Sequence, residues 1–142
     1  MTIDEYEQEA IEDLKFDVAQ FREYAHGLGL KRIKWARYLF EEESLLSIAE
    51  DKLRELYREK FHFYMYKYDE VKLEKKNVEI YIKGDQEYRN AEQVVSKQNF
   101  KMKFVNEILN SIDKQSFACS NILKHMMWQS GVSSAITPSE GK

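Results

Sequence analysis

Residues 57–68 read YREKFHFYMYKY. Six of these are aromatic (Tyr57, Phe61, Phe63, Tyr64, Tyr66 and Tyr68), and Arg58, Lys60 and Lys67 are threaded among them. The stretch can be core, strand or a surface for stacking, and the residues before it decide between these. Leu46, Ala49, Leu53, Leu56, Lys60 and Phe63 fall at alternating spacings of three and four. That is a heptad seam, so the aromatics close a long helix packed on another helix. This predicts Phe63 toward the seam and Arg58 outward, with some aromatics in the core and the others on the surface.

The helical reading extends over the chain. The 142 residues suit one domain, read as residues 1–131 with a small, polar, disordered tail over 132–142. One proline and five glycines leave little turn punctuation, and 33% of residues are charged, which argues all-α. We expect long antiparallel helices and a short apolar C-terminal helix. The opening TIDE is a capping box, with Thr2 as cap and Glu5 reaching back. Apolar residues from Ile3 to Ala25 follow at helical spacing, and HGLGL (26–30) predicts a break, since each glycine weakens a helix by roughly 1 kcal/mol. A second helix starts near Leu30. Residues 69–78 read as a loop or weak turn. VEIYIKGD (78–85) is ambiguous between strand and helix; a lone strand lacks a partner, which favours a short helix stopped at Gly84 with Asp85 capping the next. A third long helix is expected over Gln86–Asp113, and KQS (114–116) offers a cap for a last helix over 117–129. That last segment is apolar nearly all round and must be buried, against the third helix or against a second subunit.

Several functions lose support at this stage. No apolar run approaches the roughly 20 residues of a membrane span, and the acidic start MTIDEYEQEAIED argues against a signal peptide. Cys119 is the only cysteine, which fits a reducing cytoplasm and a packed rather than nucleophilic role. His26, His62 and His125 stand in no metal spacing, and no Gly-rich phosphate loop or GxSxG occurs, so neither a metal nor a cofactor is expected. Glu41, Glu42 and Glu43 read as a solvated face rather than an acid/base pair. A helical enzyme built on carboxylates and a metal would need inward-facing Glu and His pairs on facing helices, and it is the least favoured class. We therefore expect no enzyme.

The formal net charge is −3, so any nucleic-acid site must be local. Two basic clusters qualify. KRIKWAR carries Lys31, Arg32, Lys34 and Arg37 around Trp35, and DKLRELYREK carries Lys52, Arg54, Arg58 and Lys60. Arg54 and Arg58 share a helix face. Cations neutralise phosphates and interleaved aromatics stack on unpaired bases. Against this, Asp51, Glu55 and Glu59 lie on the same helix and can pair with these cations, leaving a helical scaffold that binds only protein.

With KW (34–35) early in a long helix, YREKFHFY (57–64), and a C-terminal half with Ser116-Phe117, Ile122, Lys124, Trp128 and Gly131 in order, residues 15–131 resemble the UvsY family of phage recombination mediators. The resemblance implies an all-helical accessory factor, without catalysis, acting in the cytoplasm of the infected bacterial host. It implies binding to single-stranded DNA and helping a RecA-like recombinase replace the phage single-stranded DNA-binding protein. It also implies a ring-like homo-oligomer, a hexamer or heptamer. By this resemblance the basic step falls on Arg58 and Lys60 and assembly on Phe117, Ile122 and Met126, while the basic clusters add Arg54, Lys34, Arg32 and Lys31 as DNA-binding candidates. A ring would multiply a modest cationic patch, which explains how an acidic chain holds DNA. The alternative remains a structural coiled-coil oligomer with protein partners only.

Overall fold

The computed structural model describes residues 1–68 and 74–131, and every regular element among them is helical. The elements are α1 (Ile3–Leu14), a 3₁₀ turn (Val18–Gln20), α2 (Phe21–His62), a π-helical turn (Phe63–Lys67), α3 (Lys75–Gly84) and α4 (Gln86–Gln129). The expected tail over 132–142 lies outside the described residues, as does most of the expected loop after Tyr68. Two compact units emerge: Met1–Ala36 with the chain from Asn106 onward, and Arg37–Val105.

In the first unit, α1 opens on the expected capping box. The Glu5 amide donates to Thr2 Oγ1 at 3.1 Å, and the Thr2 amide donates to Glu5 Oε2 at 2.8 Å. The helix stops earlier than its apolar spacing suggested. The chain leaves helical geometry at Lys15, and Asp17 caps the 3₁₀ turn by accepting from the Ala19 amide. No break occurs at HGLGL: α2 runs through both glycines. The penalty of roughly 1 kcal/mol per glycine is outweighed by burial of Leu28, Tyr24 and Trp35 on the same face, since a fully buried large side chain contributes about 1.5–3 kcal/mol. Tyr6 meets Trp35 (centroids 5.9 Å apart) while Leu14 accepts a hydrogen bond from the Tyr24 hydroxyl, so α1 runs antiparallel to α2. From α4, Ile108, Leu109, Ile112 and Cys119 are also buried.

In the second unit, the predicted seam holds as far as Lys60: Leu46, Ala49, Leu53, Leu56 and Lys60 are all partly buried. It fails at Phe63, which is 41% exposed, because the π turn begins there. Tyr64 and Tyr68 turn inward instead, each packing against Tyr81 of α3. VEIYIKG is helical, and α3 buries Val78 and Ile82, one turn apart. Gly84 ends it, and Asp85 caps α4 by accepting from the Tyr88 amide at 3.1 Å. Glu42 meets Gln98 and Lys101, whereas Tyr57 meets Tyr88, so here α2 and α4 are antiparallel.

Two further expectations are corrected. Glu42 is not solvated: it is 2% exposed, its Oε2 accepts from Gln98 Nε2 at 2.6 Å, and Lys101 Nζ lies 3.5 Å from its Oε1. The spacing that places Leu46 and Leu53 on the seam places position 42 there as well. The separate last helix does not exist either, because α4 continues through Lys114–Ser116 to Gln129. Nothing in KQS forces a stop, and Ile112 and Cys119 keep one face buried across it. The end of α4 is not buried among the described residues. Phe117, Ile122, Met126, Met127 and Trp128 are exposed, and Cys119 alone is sealed in, with burial pushing its thiol pKa up.

Candidate nucleic-acid interface

The helical frame decides which cations are available to a ligand. In the first unit, Lys31 donates to the Asp13 carbonyl at 2.8 Å and lies over the Tyr24 ring, 4.6 Å from its centroid. Arg32 Nε pairs with Asp113 at 2.7 Å, and Lys34 pairs with both Asp13 and Glu9. Trp35, the aromatic within this cluster, has no exposed surface, and its indole N–H donates to Asp13 Oδ2 at 2.8 Å. It is core and offers no face for stacking. Asp13 thus gathers Lys31, Lys34 and Trp35 and ties α1 to α2.

In the second unit, Arg54 is held by Asp51 one turn earlier in an exposed pair. Exposed pairs contribute about 0–1 kcal/mol, so a phosphate exchanges with such a carboxylate at little cost. Arg58 is exposed and forms no ion pair among the described residues. Lys60 differs. Its side chain is only 19% exposed, with Glu87 Oε2 at 2.8 Å and Asp85 Oδ2 at 3.3 Å. The hydrogen bond to Glu87 is the main reason its ammonium pKa is raised above the ordinary lysine value. The Arg58-x-Lys60 step is therefore split, with Arg58 facing solvent and Lys60 joining the end of α2 to the start of α4.

Asp85 is the hub of that junction. Besides capping α4 and meeting Lys60, it accepts from the Tyr64 hydroxyl at 2.7 Å. Burial works to raise its carboxyl pKa, but the Tyr64, Tyr88-amide and Lys60 contacts together outweigh it and leave the pKa lowered. Burial, then the Asp85 hydrogen bond, pushes the Tyr64 phenol up to about 12. These anchors were not foreseen, since Asp85 and Glu87 lie beyond α3 from Lys60 in sequence.

The opening aromatics now divide. Tyr57 packs with Phe61 and Tyr88, and Tyr64 and Tyr68 pack with Tyr81. Phe63 stands at the rim, edge-on to Tyr64 and Tyr68. Tyr66 is 71% exposed and touches the His62 ring, one turn back. Among the described residues no group of three or more His, Cys, Asp or Glu could hold a metal ion, and no helix is long and apolar enough to cross a membrane.

Comparison with known proteins adds the following. The model of the family described as recombination, repair and ssDNA binding protein UvsY matches residues 9–132. No curated protein matches the sequence. Among solved structures, the fold is similar to the crystal structure of the bacteriophage T4 recombination mediator protein UvsY. The TM-score is 0.77 at 13% identity, covering 91% of this chain and 99% of that one.

Proposed function

The chain belongs to the UvsY family of recombination, repair and single-stranded DNA-binding proteins, and from that membership we propose that it is a recombination mediator of a bacteriophage. In this reading it works in the cytoplasm of the infected host. It binds single-stranded DNA and helps a RecA-like recombinase replace the phage single-stranded DNA-binding protein. It acts by binding, without catalysis. The observation that carries the proposal is the family match over residues 9–132.

The geometry supports the reading in two ways. Arg58 faces solvent with no ion pair among the described residues, and Arg54 stands beside it in an easily exchanged pair. Phosphates that meet such cations shed condensed counterions, which gives affinity with a steep salt dependence. Arg32 and Lys34 are secondary contacts that must first leave Asp113 and Asp13, and Lys31 must leave its carbonyl. The exposed apolar end of α4, with Phe117, Ile122 and Met126, suits contact between copies in a ring, a hexamer or heptamer. A ring repeats the Arg58 site and raises affinity through avidity.

Fluorescence anisotropy of a labelled single-stranded oligonucleotide across a salt series, beside a duplex control, tests this. The expected result is preference for the single strand and loss of affinity as salt rises, with Arg58→Ala weakening binding at unchanged helicity. A second reading, a scaffold with protein partners only, is favoured by the internal partners of Lys31, Arg32, Lys34, Arg54 and Lys60. Absence of binding even at low salt selects it.

A further inference from the structure

Arg54, Arg58, His62 and Tyr66 follow at four-residue intervals, and all four are exposed. In a helix that interval keeps side chains on one side, with about 6 Å of rise per step. The stripe survives the passage from α2 into the π turn, because the His62 and Tyr66 rings still meet, their centroids 5.1 Å apart and their planes tilted by 51°. Two guanidiniums thus lead into two flat rings along one edge. Lys67, also exposed, adds a cation next to Tyr66. The acidic neighbours are Asp51, which holds Arg54, and Glu55 and Glu59. Each glutamate is one residue on from an arginine, about 100° around the helix from it, and three residues before the next member of the stripe, Arg58 or His62.

Tyr66 is set apart from the other tyrosines of its segment. Tyr64 donates to Asp85, and both Tyr64 and Tyr68 pack on Tyr81. Tyr66 makes no hydrogen bond among the described residues, and its one ring partner is His62. A largely bare aromatic face beside exposed cations is the arrangement on which an unstacked base settles while its backbone is neutralised. Base faces in a duplex interior are covered by their neighbours, so the arrangement favours single strands.

We propose that Tyr66, backed by His62, is a stacking platform for one unpaired base of single-stranded nucleic acid, with Arg58 and Arg54 holding the adjoining phosphates. This rests on the reading of the chain as a single-strand binder and names the site. The test uses two labelled strands of equal length, oligothymidine and the same backbone carrying abasic positions, measured by anisotropy at one low salt concentration. Tyr66→Ala is expected to weaken binding of oligothymidine by roughly five- to a hundredfold and to leave the abasic strand unaffected. Arg58→Ala should weaken both strands by a similar factor, and Tyr66→Trp should retain the preference for oligothymidine. Because Tyr66 is largely exposed, circular dichroism of Tyr66→Ala should match the parent. Unchanged affinity of Tyr66→Ala for oligothymidine, or equal weakening on both strands, overturns the platform while leaving single-strand binding intact. Failure of the unmodified protein to bind either strand removes the functional reading, and the platform with it.

Discussion

Replacing Asp85 tests how the end of α2 is held to the start of α4. The carboxylate caps α4 at the Tyr88 amide, accepts from the Tyr64 hydroxyl at 2.7 Å and lies 3.3 Å from Lys60. Its side chain is 12% exposed, so water replaces these contacts poorly. Loss of an N-cap costs about 1 kcal/mol. Loss of a hydrogen bond to a charged acceptor costs about 1.5–3 kcal/mol. Lys60 keeps Glu87, which is exposed, so its ammonium is not orphaned and adds about 0–1 kcal/mol. Asp85→Ala should therefore destabilise the protein by roughly 3–4 kcal/mol. Asp85→Asn keeps the cap and an acceptor for Tyr64, and should lose about 1–1.5 kcal/mol, the difference between a charged and a neutral hydrogen bond.

Urea unfolding followed by circular dichroism at neutral pH measures both variants. A loss under about 1 kcal/mol for Asp85→Ala would refute the hub, since the cap alone accounts for that much. The pH dependence provides a second check. The Asp85 carboxyl pKa is lowered on folding. Its ionic contribution is then complete above the ordinary carboxylate value of about 3.9 and is lost as pH falls through the lower folded value. The gap between the parent and Asp85→Asn should stay constant from pH 7 to about 5 and close in stronger acid. A gap that widens on acidification would contradict the sign of the shift.

Other outcomes follow from the same geometry. A Cβ at Gly27 or Gly29 meets nothing within 4 Å, so Gly27→Ala and Gly29→Ala should each raise stability by up to about 1 kcal/mol, read as a higher thermal midpoint. Glu42→Ala strips the buried acceptor from Gln98 and Lys101 and should cost about 1–3 kcal/mol in urea unfolding. If Phe117, Ile122 and Met126 form the contact between copies, Ile122→Asp with Met126→Asp should lower the assembled mass in sedimentation velocity without loss of helicity. An unchanged mass would place that contact elsewhere.

The elements that could be read from sequence were those fixed by neighbours in sequence. Thr2 and Glu5 announced α1, Gly84 and Asp85 marked the boundary between α3 and α4, and the spacing from Leu46 to Lys60 located the inner face of α2. The errors arose where distant packing overrode a local signal. Gly27 and Gly29 argued for a break, yet Tyr24, Leu28 and Trp35 bury one continuous face across them. Lys114–Ser116 resembled a cap, but Ile112 and Cys119 hold the helix on either side. Glu42 looked solvated within a run of three glutamates, although its seam position faces Gln98. The candidate interface divides in the same way. Arg58 pointing outward was legible from its register in α2. The capture of Lys60 was not, since its carboxylates arrive only after α3, and the burial of Trp35 depends on α1 folding back beside α2.

The π turn over Phe63–Lys67 has a consequence for which side chains must leave water. A turn of this kind amounts to one residue inserted into an α-helix. Had the heptad frame continued unaltered past Lys60, its next inward positions would have been Phe63 and Lys67, sending an unpaired ammonium into the seam at a cost of several kcal/mol. The extra residue advances the frame by one, so Tyr64 and Tyr68 go inward and Lys67 stays hydrated. Deleting Met65 would restore the uninterrupted frame. The inward positions would then be Phe63 and Tyr68, and Tyr64 would turn away from Asp85 and Tyr81.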